Sequence, residues 1–195
     1  MENNKVIIAC EALKKRLTQA LQKIGHKGEV RFLDAALHLR PRLLHQRISQ
    51  EVTRTEKGGG KSMLLFGNCI VDMKSLSESL RVPYTGCENC YHMFLGNRYQ
   101  ELLNQESGTY FLERYLCENF HRLVIEALKF DQHPQIKDLM FKHYRRAVYI
   151  DYEGAGLTEA ARQVADYLGL PLELETADPA VFAEVLVKMG LRGEA

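Results

Sequence analysis

The sequence predicts an α/β domain with a Rossmann-like three-layer fold, in which a mostly parallel sheet of five to six strands carries helices on both faces. Short apolar runs recur along the chain, longer stretches of helical periodicity follow them, and glycine, proline or polar residues mark the boundaries. Strands that alternate with helices favour parallel pairing, because crossover helices return the chain to the same end of the sheet. At 195 residues, the chain is expected to form one domain over residues 1–195.

Three strands are predicted in the first half of the chain. The apolar run at residues 6–9 predicts a buried first strand, and the apolar residues recurring between 13 and 24 predict an amphipathic helix after it. Residues 30–33 predict a second strand, and Pro41 suits the first turn of the next helix, where its missing N–H is not needed. Residues 63–66 predict the third strand.

The second half of the chain is expected to complete the sheet after a helical insertion. Residues 81–84 predict a short fourth strand at an edge or an early end, because Pro83 has no N–H to donate. The insertion covers residues 88–145, approximately. A fifth strand is predicted at 147–150 and a last strand around 172–174, each followed by a helix.

Composition limits the classes of function and location. The 26 basic and 25 acidic residues give a formal net charge of +1, so no overall field favours nucleic acid or an anionic membrane. The N-terminal apolar run is too short for a signal peptide or a membrane span. Five cysteines, an odd number, are typical of thiols in a reducing compartment rather than of a disulfide framework. We therefore expect a cytoplasmic protein with no nucleic-acid or membrane partner.

Most of the cysteines follow predicted strands. Cys10 comes directly after the first strand, Cys69 after the third, and Cys87 and Cys90 after the fourth, while His38 lies a few residues past the second. Parallel α/β sheets build their sites in the loops beyond the carboxyl ends of the strands. We therefore expect these five side chains to gather at one edge of the sheet.

The chemistry of such a cluster points first to a metal. Thiolates bind Zn²⁺, Fe²⁺ and iron–sulfur clusters, and Cys10, Cys69 and Cys90, completed by Cys87 or His38, supply the ligands for a zinc ion or a four-iron cluster. One alternative is a thiol-redox module that uses the Cys87–Cys90 pair. Another is a non-enzymatic accessory or interaction protein with structural cysteines. No combination of base, nucleophile and oxyanion donor emerges, so the sequence supports no enzyme assignment.

Several short motifs follow one another along nearly the whole chain. In chain order they are Ile8-Ala9-Cys10-Glu11-Ala12-Leu13, Leu37-His38-Leu39-Arg40-Pro41, the stretch from Gly86 to Gly96 around Cys90-Tyr91, Gly108-Thr109-Tyr110-Phe111-Leu112, His121-Arg122-Leu123-Val124, Asp131-Gln132-His133-Pro134, and Tyr144-Arg145-Arg146-Ala147-Val148-Tyr149. This ordered set resembles the bacterial and archaeal domain-of-unknown-function family 1638.

The resemblance places the family's cysteine positions on Cys10, Cys69 and Cys90, and its loop histidine on His38. Cys87 is an addition, and Asn89 stands where the family has a histidine. The resemblance also implies a role accessory to corrinoid-dependent one-carbon metabolism, with a corrinoid protein or a methyltransferase as the partner.

Overall fold

The computed structural model describes residues 5–68 and 72–191. The chain divides into two compact units. Unit 1 contains the described residues up to Met93 together with those from Phe182 onward, and unit 2 is the continuous stretch Phe94–Val181. Each unit contains one three-stranded parallel sheet, so each is an α/β structure in its own right.

The helices and strands alternate along most of the chain. In chain order they are β1 (Lys5–Cys10), α1 (Lys14–Lys23), β2 (Val30–Leu33), α2 (Pro41–Lys57), β3 (Lys61–Leu65), α3 (Met73–Leu80), α4 (Cys90–Leu95), α5 (Asn97–Gln105), β4 (Thr109–Leu112), α6 (Arg114–Glu118), α7 (Pro134–Phe141), β5 (Arg146–Asp151), α8 (Glu159–Leu168), β6 (Leu172–Thr176) and α9 (Pro179–Lys188). Two 3-10 turns, Glu11–Leu13 and Ala35–Leu39, follow β1 and β2, and a π-helical segment, His121–Glu126, follows α6.

The sheet of unit 1 has the strand order β2-β1-β3. Ile7 of the central strand is level with Val30 of β2 and Met63 of β3, and both pairings are parallel. Every residue of β1 after Lys5 is buried. A continuous apolar run is what a central parallel strand requires, because such a strand is covered on both faces.

The two long helices of unit 1 follow from sequence periodicity and one proline. Pro41 occupies the first turn of α2, and Leu44, Ile48 and Val52 are buried at four-residue spacing along it. The shorter α1 buries Leu17 and Leu21 with the same spacing. Both helices thus present one apolar face to the core and leave the opposite face to water.

The sheet of unit 2 has the strand order β4-β5-β6, again all parallel. Its central strand β5 is buried from Ala147 to Asp151. The helix after it, α8, begins at a Thr158 cap whose hydroxyl accepts a hydrogen bond from the Ala161 N–H at 3.2 Å. It ends at Gly169, whose φ of 69° is left-handed and therefore suits glycine.

The predicted α/β class is confirmed, whereas the single sheet of five to six strands is not. The described residues hold six strands, but they form two sheets of three. The predicted strand at residues 81–84 is reduced to one parallel bridge between Tyr84 and Leu64. Pro83 explains this, because it accepts a bond from the Leu64 N–H through its carbonyl but has no N–H to extend the ladder.

The segment predicted as a helical insertion, residues 88–145, contains helices and also the strand β4. Thr109 is the first residue of this strand and is level with Arg146 of β5. The remaining predicted strands are confirmed, and so are the helices predicted after the last two strands. The single domain over residues 1–195 stays a prediction. Within the described part of the chain, no helix combines the length and apolarity needed to cross a membrane.

Candidate functional site

The strand order of unit 1 identifies where a site is expected. The chain leaves β1 to form β2 on one side and then returns to form β3 on the other side. Connections that diverge in this way leave a crevice beyond the carboxyl ends of the two adjacent strands, which is the usual ligand site of open α/β sheets. In unit 2 the strands follow one another in a single direction, so its sheet has no such reversal. In unit 1 this expected position is between the ends of β1 and β3.

Cys10 is the residue at the carboxyl end of β1, next to this position. It is the last residue of the strand and precedes the 3-10 turn Glu11–Leu13 in an extended conformation, with φ −67° and ψ 137°. Its exposed fraction is 5%. Cys10 is a buried thiol at the position that the sequence predicted.

The loop after β3 is bonded to the segment that carries the two other cysteines. The Thr85 hydroxyl donates to the carbonyl oxygen of Phe66 at 2.5 Å, and the Asn68 N–H donates to the carbonyl oxygen of Cys87 at 2.8 Å. A Cβ added at Gly67 would lie 2.4 Å from the Asn89 Cα, so only glycine permits this approach of the two backbones. The loop after β3 and the Cys87–Cys90 segment are therefore in direct contact.

A second hydrogen bond joins Asn68 of this loop to the start of α3. The side-chain oxygen of Asn68 accepts a hydrogen bond from the Met73 N–H at 3.1 Å. Asp72 caps α3 by accepting from the Ser75 N–H at 3.0 Å, in a left-handed conformation with φ 62°. Cys69, the predicted ligand from this loop, lies outside the described residues, as do the two residues after it.

Cys87 and Cys90 occupy different environments. Cys87 is buried, and its thiol donates to the Thr85 carbonyl oxygen at 3.8 Å. Burial raises the pKa of the Cys87 thiol, while the hydrogen bond with Thr85 and the charge of Lys188 act in the opposite direction. Cys90 is partly exposed and is the first residue of α4. Both side chains are thiols rather than a disulfide.

Asn89 caps the N-terminus of α4. Its side-chain oxygen accepts a hydrogen bond from the His92 N–H at 2.9 Å, which makes it the cap of the helix. In return, the Nδ1 atom of His92 accepts from the Glu88 N–H at 3.3 Å. This reciprocal pair resembles a capping box and fixes the point at which Cys90 enters the helix. Asn89 thus positions Cys90 through the backbone.

His38 lies in the 3-10 turn Ala35–Leu39 and is partly buried. Its Nδ1 atom is 2.8 Å from the carbonyl oxygen of Ala35. That bond requires a proton on Nδ1, and in the neutral ring the lone pair then lies on Nε2, the atom that would face a metal. The turn therefore selects the tautomer that a metal-binding histidine needs.

The described side chains do not by themselves assemble a metal site. Within residues 5–68 and 72–191, no group of three or more His, Cys, Asp or Glu side chains is arranged to hold a metal ion. Cys10, Cys87, Cys90 and His38 are all in that part of the chain, so they do not form a three-ligand set without Cys69. The predicted set of Cys10, Cys69 and Cys90 stays a prediction.

Two buried carboxyl groups in unit 2 were not predicted as functional residues. Glu113 directly follows β4 and is 2% exposed, and Asp151 ends β5 and is 3% exposed. The sequence does contain a signal for both, because each acidic residue stands directly after an apolar strand run, at the carboxyl end where such folds place functional groups.

Comparison with protein families gives one match, and it agrees with the resemblance noted in the motifs. The family described as "Protein of unknown function (DUF1638)" matches residues 32–186, which is most of the chain. Comparison with the curated proteins and with the solved structures gives no match. The matched region includes the loop after β3, the Cys87–Cys90 segment and all three strands of unit 2. The chain belongs to the DUF1638 family.

Proposed function

We propose that the protein binds a metal ion or an iron–sulfur cluster through thiolates at the carboxyl edge of the unit 1 sheet. The ligands in this proposal are Cys10, Cys69 and Cys90, with Cys87 or His38 in the fourth position. The observation that carries it is the bonded contact of the loop after β3 with the Cys87–Cys90 segment, through Asn68 and Cys87. Cys69 is the residue next to Asn68, so this contact favours an approach of Cys69 to the Cys87–Cys90 segment. Cys10 belongs to the proposed set because it ends β1, the strand next to β3.

Cys69 is indispensable to this site. Among the described residues no three ligand-type side chains are arranged to hold a metal, so the proposal depends on Cys69, which lies outside them. Cys69 is the only cysteine of the chain there. Soft thiolate sulfur selects Zn²⁺, Fe²⁺ or an iron–sulfur cluster over Mg²⁺ or Ca²⁺.

The two candidates for the fourth ligand position differ in whether metal binding must remove a proton from the ligand atom. Burial keeps Cys87 protonated, so a metal that bound there would have to release that proton. His38 already has its Nδ1 atom bonded to the Ala35 carbonyl oxygen, and its Nε2 atom needs no deprotonation in the neutral ring. The lower proton cost favours His38.

The wider biological role also belongs to this proposal. We infer a cytoplasmic protein, because thiols of this kind persist in reducing compartments. The family resemblance supports a role accessory to corrinoid-dependent methyl transfer, with a corrinoid protein or a methyltransferase as the partner. The Rossmann-like character of the fold is likewise proposed, and its support is that each unit contains parallel strands joined through helices.

The alternatives are not equally supported. A thiol-redox pair needs one thiol with a pKa below about 7. Burial moves the pKa of Cys87 in the opposite direction, so no observation favours that thiol as a nucleophile. The burial of Cys10 and Cys87 fits the third alternative, a non-enzymatic accessory protein with structural cysteines. Metal analysis separates this last alternative from the proposed function.

The deciding experiment is metal analysis with an absorption spectrum on protein purified without oxygen. We expect bound zinc or iron in the wild type, with thiolate-to-iron charge-transfer absorption if the group is a cluster. Cys69→Ser and Cys90→Ser should each lose the metal, because a serine hydroxyl is a poor ligand for these metals.

The matched control is Cys117→Ser, which makes the same atomic change at a buried thiol in unit 2. It should keep the wild-type metal content. Wild-type protein that is folded and metal-free would contradict the proposal, and so would metal retained in Cys69→Ser.

A further inference from the structure

The helix α7 of unit 2 has one face towards the core and the opposite face in water. Ile136 and Phe141 pack against the buried core of this unit, and the centroid of the Phe141 ring lies 5.1 Å from that of Tyr110. These contacts fix the rotation of the helix about its own axis. The exposed residues of the opposite face, which are three, one and three positions apart, are Gln135, Asp138, Leu139 and Lys142.

Leu139 lies in the middle of this outward face, between two charges of opposite sign. Its exposed fraction of 64% is the highest among the large apolar side chains that the structure describes, and the neighbouring Met140 is 46% exposed. Asp138 precedes Leu139 in the helix. Lys142 is the C-terminal cap and keeps the helical conformation, with φ −55° and ψ −27°, so it continues the same face. Neither of these two charged side chains forms an ion pair with another described residue.

The order of these residues makes the face complementary to itself. When a helix packs antiparallel against its own copy about a two-fold axis, residues equally far from the axis on opposite sides of it become level. With the axis at Met140, Asp138 of each copy is level with Lys142 of the other, because each is two residues from the axis. Asp138 and Leu139 are about 100° apart around the helix, so both ion pairs fall on one side of the contact and both leucines on the other.

We propose that α7 is a self-association surface, on which α7 of a second copy of this chain packs antiparallel about a two-fold axis. Leu139 supplies the apolar contact, and the two Asp138–Lys142 pairs between the copies set the direction. A parallel arrangement would bring like charges level with each other. A nucleic acid or an anionic membrane presents negative charge alone and would meet Asp138, so a second copy fits the face better. The proposal is independent of the metal site, whose described ligands are in unit 1.

The size of the face sets the strength of the association. A contact built on the eight residues of α7 is smaller than a stable interface, which buries about 1,200 Å² or more. We therefore expect a weak dimer, with a dissociation constant on the order of 10 to 100 µM. Such a protein is monomeric when dilute and dimeric when concentrated.

Sedimentation equilibrium of the full chain, under reducing conditions that prevent disulfide links, tests the proposal. Over a range of about 1 to 500 µM, the wild type should pass from monomer to dimer, and Leu139→Ser should stay monomeric. Asp138→Lys and Lys142→Asp should each weaken the association about tenfold or more, because each creates two pairs of like charges between the copies. The double variant, Asp138→Lys with Lys142→Asp, restores both pairs with their signs exchanged and should dimerise as the wild type does.

The matched control is Asp166→Lys, which makes the same charge change at an exposed position of α8 and should leave the association unchanged. All the substituted side chains are exposed, and circular dichroism checks that each variant is folded. Wild-type protein that stays monomeric up to about 500 µM would overturn the proposal. A dimer that persists in Leu139→Ser would also overturn it, and so would a double variant that associates no better than the single charge reversals.

Discussion

Replacing Gly67 by alanine is expected to destabilise unit 1 by about 3 kcal/mol. The added Cβ would lie 2.4 Å from the Asn89 Cα and 2.7 Å from its N and C atoms. These are backbone atoms and cannot rotate away as the end of a side chain can. The loop after β3 would have to separate from the Cys87–Cys90 segment, and the bonds from Thr85 to Phe66 and from Asn68 to Cys87 would be lost with it.

The matched control is Gly58→Ala at the end of α2. Gly58 has an ordinary φ of −83°, and the nearest atom to an added Cβ is the Thr55 carbonyl oxygen at 3.4 Å. We expect its stability to change by less than about 1 kcal/mol, because alanine fits this conformation and restricts the unfolded chain. The chain contains no tryptophan, so denaturant unfolding is best followed by far-ultraviolet circular dichroism. Equal midpoints for the two variants would show that the close approach at Gly67 does not stabilise unit 1.

Gly67→Ala also tests the proposed metal site, because it disturbs a backbone contact near the site and leaves every proposed ligand unchanged. The substitution removes no ligand, yet it should lower the metal content, because the loop before Cys69 would be displaced from Cys90. Folded Gly67→Ala protein with full metal content would show that the site does not depend on this contact. That result would leave the cysteine substitutions as the separate test of the ligands.

The strands were predictable where an apolar run is continuous and the strand is central. Residues 6–9 and 147–150 meet both conditions, and β1 and β5 are the central strands. The short β4 was not predicted, because the four-residue run Thr109–Leu112 stands between helices and its periodicity fits either structure. The segment is a strand because it pairs with β5, and local sequence does not show which distant segments pair. The division into two sheets was missed for the same reason.

The site was predictable only as positions along the chain. The placement of Cys10 and Cys90 after strands or at a helix start follows from alternating elements, which the sequence displays. The contact between Gly67 and Asn89 does not, because it joins two loops whose approach depends on a missing side chain. The position of Glu113 after an apolar run was visible, but its burial was not, since an acidic residue there looks the same in sequence whether it is exposed or enclosed.

Asp151→Ala is expected to cost unit 2 roughly 3–5 kcal/mol. The carboxylate is 3% exposed and forms the centre of the turn after β5. One of its oxygens accepts from the Glu153 and Gly154 N–H groups, both at 2.9 Å, and the other accepts from the Gly156 N–H at 2.6 Å. Alanine removes all three acceptor contacts, so the backbone N–H groups that hold the turn after β5 lose their shared protein partner.

The stabilising effect of the Asp151 carboxylate should also depend on pH, which gives a second test of its role. Burial alone would raise the pKa of Asp151, but the backbone N–H donors of residues 153–156 together lower it below its ordinary 3.8. Its stabilising effect is therefore present above pH 3.8 and is lost as the pH falls through the lower value of the folded state. The stability difference between the wild type and Asp151→Asn should be largest near neutral pH and should shrink below about pH 3.8.

Asp178→Ala is the control for a carboxylate that caps at the surface. Asp178 is exposed and accepts one bond, from the Ala180 N–H at 2.8 Å, so its loss should cost only about 1 kcal/mol. Denaturant unfolding at pH 7 gives both values. A cost for Asp151→Ala no larger than that for Asp178→Ala would mean that the turn after β5 finds other acceptors. The larger expected cost follows from the number of bonds, since the 3% exposed carboxylate of Asp151 accepts from three backbone N–H groups, whereas the exposed Asp178 accepts from one.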